Sequence, residues 1–217
     1  MTDVKTVQAK YIFLDIVSYT QDRTIEAQSH IINELNKIVL EALDFYDLTD
    51  EKLILLPTGD GICIAIINID EPYDVHIAIG LRILSGIEKH NSEANNPMVK
   101  FKIRIGINEN TDNLIIDTNK NRNIAGAGIN IAQRIMNAAD DNQIFVSQTV
   151  YEKLHQRERY WQQFKPFNVT VKHGHTMLIY QYINSHDGLV TTPPAHINEN
   201  IYTSDNKLMK MLQNFFK

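Results

Sequence analysis

Two aspartates stand where apolar runs end, and their placement is what metal chemistry would need. Asp15 closes the run Tyr11-Ile12-Phe13-Leu14-Asp15, and Asp60 sits at the tip of Pro57-Thr58-Gly59-Asp60-Gly61. The flanks of that tip, residues 52–56 and 62–67, are apolar and rich in β-branched types, so the stretch reads as a β-hairpin with buried strands. Two strand-end carboxylates on neighbouring strands could share a pair of divalent cations. The plainer reading is two turn aspartates. Asn130 and Arg134 are spaced i,i+4, which puts both on one helix face with Ile131 and Ile135 turned towards a core. Arg104 alternates with Ile103 and Ile105, so it points away from the apolar face of its strand. His173 and His175 would put both rings on one side of a strand, a spacing that suits a metal, but no third ligand accompanies them.

These residues need a frame, and the periodicity supplies one. A strand over residues 9–16 leads through a turn into a long helix marked by Ile31, Leu35, Ile38, Ala42 and Tyr46. The hairpin follows. Glu71 and Pro72 read as the cap and first turn of a helix running to about His90, with Val75, Ile79, Ile83 and Ile87 on one stripe. Residues 99–107 alternate as a strand, 114–116 make a short one, and 117–122 form a charged loop. A helix is expected over 125–139, a strand over 143–147, a short helix over 149–155, and a strand pair at 167–172 and 177–182. The order β-α-β-β-α-β with further α and β elements predicts an α+β sandwich with helices on one sheet face.

Composition narrows the partners. The chain has 217 residues, which fits one large domain or a domain plus an appendage, and 43% of them are hydrophobic, enough for a real core. A net charge of −5 disfavours nucleic acid. The lone cysteine, Cys63, lies in a strand run and suits core packing. No signal peptide or membrane-length apolar run is present, so the expectation is a cytoplasmic protein without stable membrane insertion. Residues 185–203 read as a linker, and residues 204–217 as an amphipathic helix that packs on the body or on a second chain.

Taken in order, the motifs over residues 11–182 resemble a class III nucleotide cyclase catalytic domain. Leu14 to Thr20 resembles the first metal motif, Thr58-Gly59-Asp60-Gly61 the second, and Ile103 to Ile107 the strand whose arginine contacts phosphate. Gly128 to Arg134 resembles the helix with the transition-state Asn and Arg, and residues 143–147 the strand after it. The resemblance implies a ferredoxin-like βαββαβ domain over residues 7–184. It implies that Asp15, Asp60 and the backbone of Ile16 hold two Mg2+ or Mn2+ ions, and that amides over Ile16, Ser18, Tyr19 and Thr20 bind triphosphate. Arg104 and Lys172 would contact phosphate. Asn130 would orient the ribose and Arg134 stabilise charge on the α-phosphate. Sites of the family are shared in a head-to-tail homodimer, so one chain would give Asp15, Asp60 and Arg104, and the other Asn123, Asn130 and Arg134.

Two positions read the base in that family. The first, usually lysine or glutamate, is Leu56, which cannot hydrogen-bond; the second is Asn123, which can donate and accept. Ser18, Asn108 and Asn110 also replace the usual glycine, histidine and glycine. In this the chain is most similar to the uridylate cyclases of bacterial Pycsar antiphage systems. That implies cyclic UMP as a messenger for a separate effector responsive to cyclic nucleotides. An adenylate cyclase with a rearranged pocket, and a silent nucleotide-binding module, are the alternatives.

Overall fold

The computed structural model describes residues 5–170, 176–195 and 197. The first strand, β1 (Lys5–Ile16), lies inside a sheet that has 8 strands among the described residues. It is followed by α1 (Ile25–Asp44), the hairpin β2 (Leu53–Pro57) and β3 (Gly61–Ile67), and α2 (Val75–Glu93). Then come β4 (Ile103–Ile116), β5 (Arg122–Ala125), α3 (Gly128–Met136), β6 (Ile144–Ser147), α4 (Gln148–Leu154), β7 (Phe164–Thr170) and β8 (Thr176–Tyr182). The strand order is β2-β3-β1-β4-β6-β8-β7, with β5 paired to the far end of β4. β1 runs antiparallel to both neighbours, and β4 runs parallel to β6. The α+β class and the βαββαβ order agree with the sequence.

Alternation along β1 sends its residues to two different cores. Ile12, Leu14 and Ile16 face α1 and α2 in a large aliphatic cluster with Ile64, Ile105, Ile31, Leu35 and Ile83. Tyr11 and Phe13 join Cys63, Ala65, Ala132 and Met136 on the opposite face. Helices therefore cover both faces, not one as the sequence order suggested: α3 alone lies on the second face. Its amphipathic pattern leaves it no other seat, because Ala132, Ile135 and Met136 are buried while Asn130 and Arg134 are exposed. Gly106 on β4 makes the contact possible. A Cβ there would lie 2.3 Å from the Ala132 carbonyl oxygen and from the Met136 nitrogen.

Several boundaries differ from the periodic reading. The helix expected to open at Pro72 starts at Val75. The Glu71 carboxylate accepts the Tyr73 N–H and Pro72 accepts the Val75 N–H, so these residues form a turn instead. Residues 99–102 are not strand. Val99 closes a 3-10 turn, and the Asn91 amide holds both backbone groups of Phe101. The short strand at 114–116 is the end of the 14-residue β4, and Ala125 belongs to β5 rather than to α3. The segment read as a linker runs along the body in its described part. Val190 donates to the Asn142 carbonyl, and the Thr192 carbonyl accepts from Gln143 and Gln181. The C-terminal helix expected over residues 204–217 lies outside the described residues, as do Lys172, His173 and His175.

Candidate active site

The two aspartates meet because of strand register. In the β1–β3 ladder Asp15 lies opposite Gly61, and Ile16 N–H donates to the Asp60 carbonyl at 3.0 Å. Two glycines hold the Asp60 tip for different reasons. Gly59 has φ +97°, which a side chain would strain, and a Cβ on Gly61 would lie 2.2 Å from the Leu14 carbonyl oxygen. The β1–β4 ladder places Arg104 opposite Asp15. Its guanidinium donates from Nε to Oδ1 at 3.0 Å and from Nη2 to Oδ2 at 2.7 Å, a bidentate pair. That hydrogen-bonded pairing, with Asp60 and Asp140 nearby, raises the Arg104 pKa further against the cost of partial burial. Asp15 thus stands one residue out of register from Asp60 on the neighbouring hairpin, with a cation already docked on its carboxylate. This donor set fits divalent cations: hard oxygen ligands on two adjacent strand ends, half-buried but reachable.

Between β1 and α1 the backbone forms a tight loop with Ser18 at φ 50°, the left-handed region. This is the position where the resemblance expects glycine. Arg23 organises the loop: its guanidinium takes the carbonyls of Ser18 and Tyr19 on one side, and of Met98 and Lys100 on the other. With the Ser18 and Tyr19 carbonyls turned towards Arg23, the trans peptides point the N–H groups of Tyr19 and Thr20 the opposite way. The amides of Ile16 and Val17 already donate to Asp60 and Lys102. The loop amides left to receive an anion are those of Ser18, Tyr19 and Thr20, which make no backbone hydrogen bond among the described residues. The Ile16 side chain is buried in the aliphatic core, so its carbonyl is the part a ligand can reach. Sequence reasoning missed Arg23; an arginine just before the Thr24 cap of α1 is a weak signal.

Asn130 and Arg134 stand exposed on α3, and no hydrogen bond links either to Asp15, Asp60 or Arg104 among the described residues. A buried carboxylate fixes the start of their helix. Asp112 accepts from Tyr11 Oη at 2.6 Å, Asn110 Nδ2 at 2.7 Å and the Gly128 amide at 3.1 Å. Asn108 Nδ2 closes the arrangement by donating to the Gly128 carbonyl. Burial and the Asp112 hydrogen bond both push the Tyr11 phenol upward, so it serves as a donor and not as a base. Asn108 and Asn110 were noted in the sequence as departures. Their partner Asp112 was missed, since a carboxylate in an Asn-rich stretch looks solvated.

The two positions at which the resemblance expects the base to be read lie on β2 and β5. Leu56 on β2 pairs with Cys63 and packs against the second core. Asn123 on β5 is half-buried, and its Oδ1 accepts from the Ile124 amide at 2.7 Å. Because a backbone N–H can only donate, the oxygen is the atom engaged there and the Nδ2 group is left to donate elsewhere.

The chain matches the family model for the adenylate and guanylate cyclase catalytic domain over residues 4–184, and it belongs to that family. Comparison with curated protein sequences gives no match. Among solved structures it is similar to the guanylyl cyclase Cya2 (TM-score 0.69, 15% identity, covering 90% of this chain and 98% of that one). It is also similar to the adenylyl cyclase CyaB from P. aeruginosa (0.66, 16%, 87% and 100%). A third is the catalytic core of a rhodopsin-guanylyl cyclase with converted specificity in complex with ATPalphaS (0.64, 17%, 84% and 98%). At such identities these likenesses speak for the fold.

Proposed function

We propose that this chain cyclises a nucleoside triphosphate, with UTP converted to cyclic UMP and pyrophosphate as the best reading. The observation that carries cyclisation is Asp15 and Asp60 side by side at the ends of β1 and the hairpin, with Arg104 on Asp15. In the reaction the ribose 3′-oxygen bonds to the α-phosphorus, the bond to pyrophosphate breaks, and the 3′-hydroxyl proton leaves to solvent. Mg2+ or Mn2+ bound by Asp15, Asp60 and the Ile16 carbonyl would acidify that hydroxyl and screen the triphosphate. The amides of Ser18, Tyr19 and Thr20 take the terminal phosphates, aided by Arg104 and Lys172. Asn130 orients the ribose and Arg134 neutralises charge gathering on the α-phosphate.

Asn130, Arg134 and Asn123 serve a site completed by a second copy of the chain, in a head-to-tail homodimer. The exposure of Asn130 and Arg134, without hydrogen bonds to the aspartate centre among the described residues, supports this. The choice of UTP rests on what Leu56 and Asn123 offer. Leu56 has no polar group for a purine edge, and Asn123 presents a donor, which suits the O4 acceptor of uracil over the amino groups of cytosine or adenine. On the resemblance to Pycsar cyclases, cyclic UMP acts as an antiphage alarm read by a separate effector, and the protein works in the cytoplasm. Residues 7–184 form the catalytic unit, followed by the 185–203 segment and the C-terminal stretch 204–217.

The test is to incubate the purified chain with Mn2+ and the four ribonucleoside triphosphates and resolve products by mass. Cyclic UMP is expected. Cyclic AMP or cyclic GMP would overturn the base assignment, and no cyclic product at all would overturn the enzyme.

A further inference from the structure

A second cluster of ligating side chains lies on the other side of the sheet, between α1 and α2. His30 and Glu34 are one turn apart on α1, and His90 faces them from the end of α2. One ligand atom from each, two imidazole nitrogens and a carboxylate oxygen, lies within 4.8 Å of the others. The approach is built into the helix pair. A Cβ on Gly86, one turn before His90, would lie 2.7 Å from Ile38 Cγ2, one turn after Glu34. The antiparallel helices are thus drawn together beside the cluster because Gly86 has no side chain.

The orientation of His90 is the independent observation. Its Nε2 lies 3.0 Å from the Val99 carbonyl oxygen, which can only accept, so Nε2 carries hydrogen. Phe101 packs against the ring at 5.6 Å, and His30 stands tilted to it at 5.8 Å. In neutral His90 the Nδ1 lone pair therefore faces the cluster, 3.9 Å from Glu34 Oε1. That distance is too long for a hydrogen bond. It is close to the spacing of about 3.4 Å between two ligands of one tetrahedral zinc ion with bonds near 2.0–2.1 Å. A ring N–H donated to a backbone carbonyl is how metal-binding histidines are usually held. Among the described residues Glu34 is also paired with Lys37, an exposed lysine at 3.2 Å, and such surface pairs are weak.

The geometry points to a transition-metal site of His30, Glu34 and His90, with Zn2+ as the ligand and a fourth position open to water. Two imidazoles and one carboxylate favour Zn2+ over Mg2+, so this site and the aspartate centre take different ions. The bound ion ties α1, the helix that follows the phosphate-facing loop, to α2.

The intact chain is titrated with Zn2+ against a chromophoric chelator, and Co2+ is used for its visible absorption. One Zn2+ per chain is expected both in the parent and in an Asp15→Asn/Asp60→Asn variant, with a rise in thermal midpoint in each. His30→Ala and Glu34→Gln, which change a surface and a half-buried position, should bind about tenfold or more weakly and lose the midpoint rise. His90→Gln should abolish the tetrahedral Co2+ spectrum. Zn2+ binding unchanged in His30→Ala and Glu34→Gln would overturn the site. So would binding lost in the aspartate variant or in a His173→Ala/His175→Ala control.

Discussion

At the scale of single residues, the site depends on which atoms each side chain has left to offer. Asp15 and Asp60 are paired by register, so Asp60→Asn keeps the shape and removes one charge. Its turnover should fall by at least about a hundredfold, with the thermal midpoint nearly unchanged. Asn123 offers a donor because its oxygen is held by the Ile124 amide. Asn123→Asp turns that edge into an acceptor and should shift the ratio of kcat/KM values away from UTP and towards CTP by about tenfold or more. Competition assays with both nucleotides in one tube measure that ratio. Cys63 is fully buried between Tyr11, Ile54 and Ala65 neighbours on the second face, and burial pushes its thiol up to about 12. It should resist iodoacetamide in the native protein and react only after unfolding. The aspartates, Arg104 and the Asn130–Arg134 spacing were legible in the sequence, since each is a polar exception in an apolar period. Arg23 and Asp112 were not, because their partners are backbone groups and residues distant in the chain.

At the scale of elements, the decisive contact is α3 on Gly106. A methyl group there meets the helix backbone, which has no flexible end to yield. Gly106→Ala should destabilise the fold by about 2 kcal/mol or more. Below its melting point it should also lose activity beyond what the unfolded fraction explains, because Asn130 and Arg134 move with α3. Denaturant curves and assays on the same sample separate the two. A second element, the start of α2, carries the fully buried His76, 3.2 Å from Glu109 but too poorly aligned for a hydrogen bond. Burial lowers its pKa from 6.5, so the folded state stays neutral where the unfolded chain takes up a proton. Stability is therefore full above 6.5 and falls as pH drops below it. His76→Leu should flatten that fall, measured as the urea midpoint at about pH 7.5 against about pH 5.5. Boundaries such as Val75 and Ile103 were set by side-chain bonds from Glu71 and Asn91, which no hydrophobic period records.

At the scale of the whole molecule, the groups proposed to act on the substrate fall into two sets that no hydrogen bond joins among the described residues. If sites are shared across a head-to-tail dimer, Asp60→Ala and Arg134→Ala chains, each inactive, should regain about a quarter of parental activity when mixed equally and allowed to exchange. Half of the dimers then carry one intact site of two. No recovery would mean that each chain works alone. Among the described residues no helix is long and apolar enough to cross a membrane. By itself the sequence determined the β-α-β-β-α-β order, the hairpin with Asp60 at its tip and the polar residues that break apolar periods, because these depend on neighbours within a few positions. The tertiary structure decided what distance in the chain conceals. It put α3 on the opposite face from α1 and α2, because Gly106 opens a seat there and both faces of β1 are apolar. It set Arg104 opposite Asp15 across 89 positions, and by pairing β1 with β4 it let the Tyr11 hydroxyl reach Asp112 across 101.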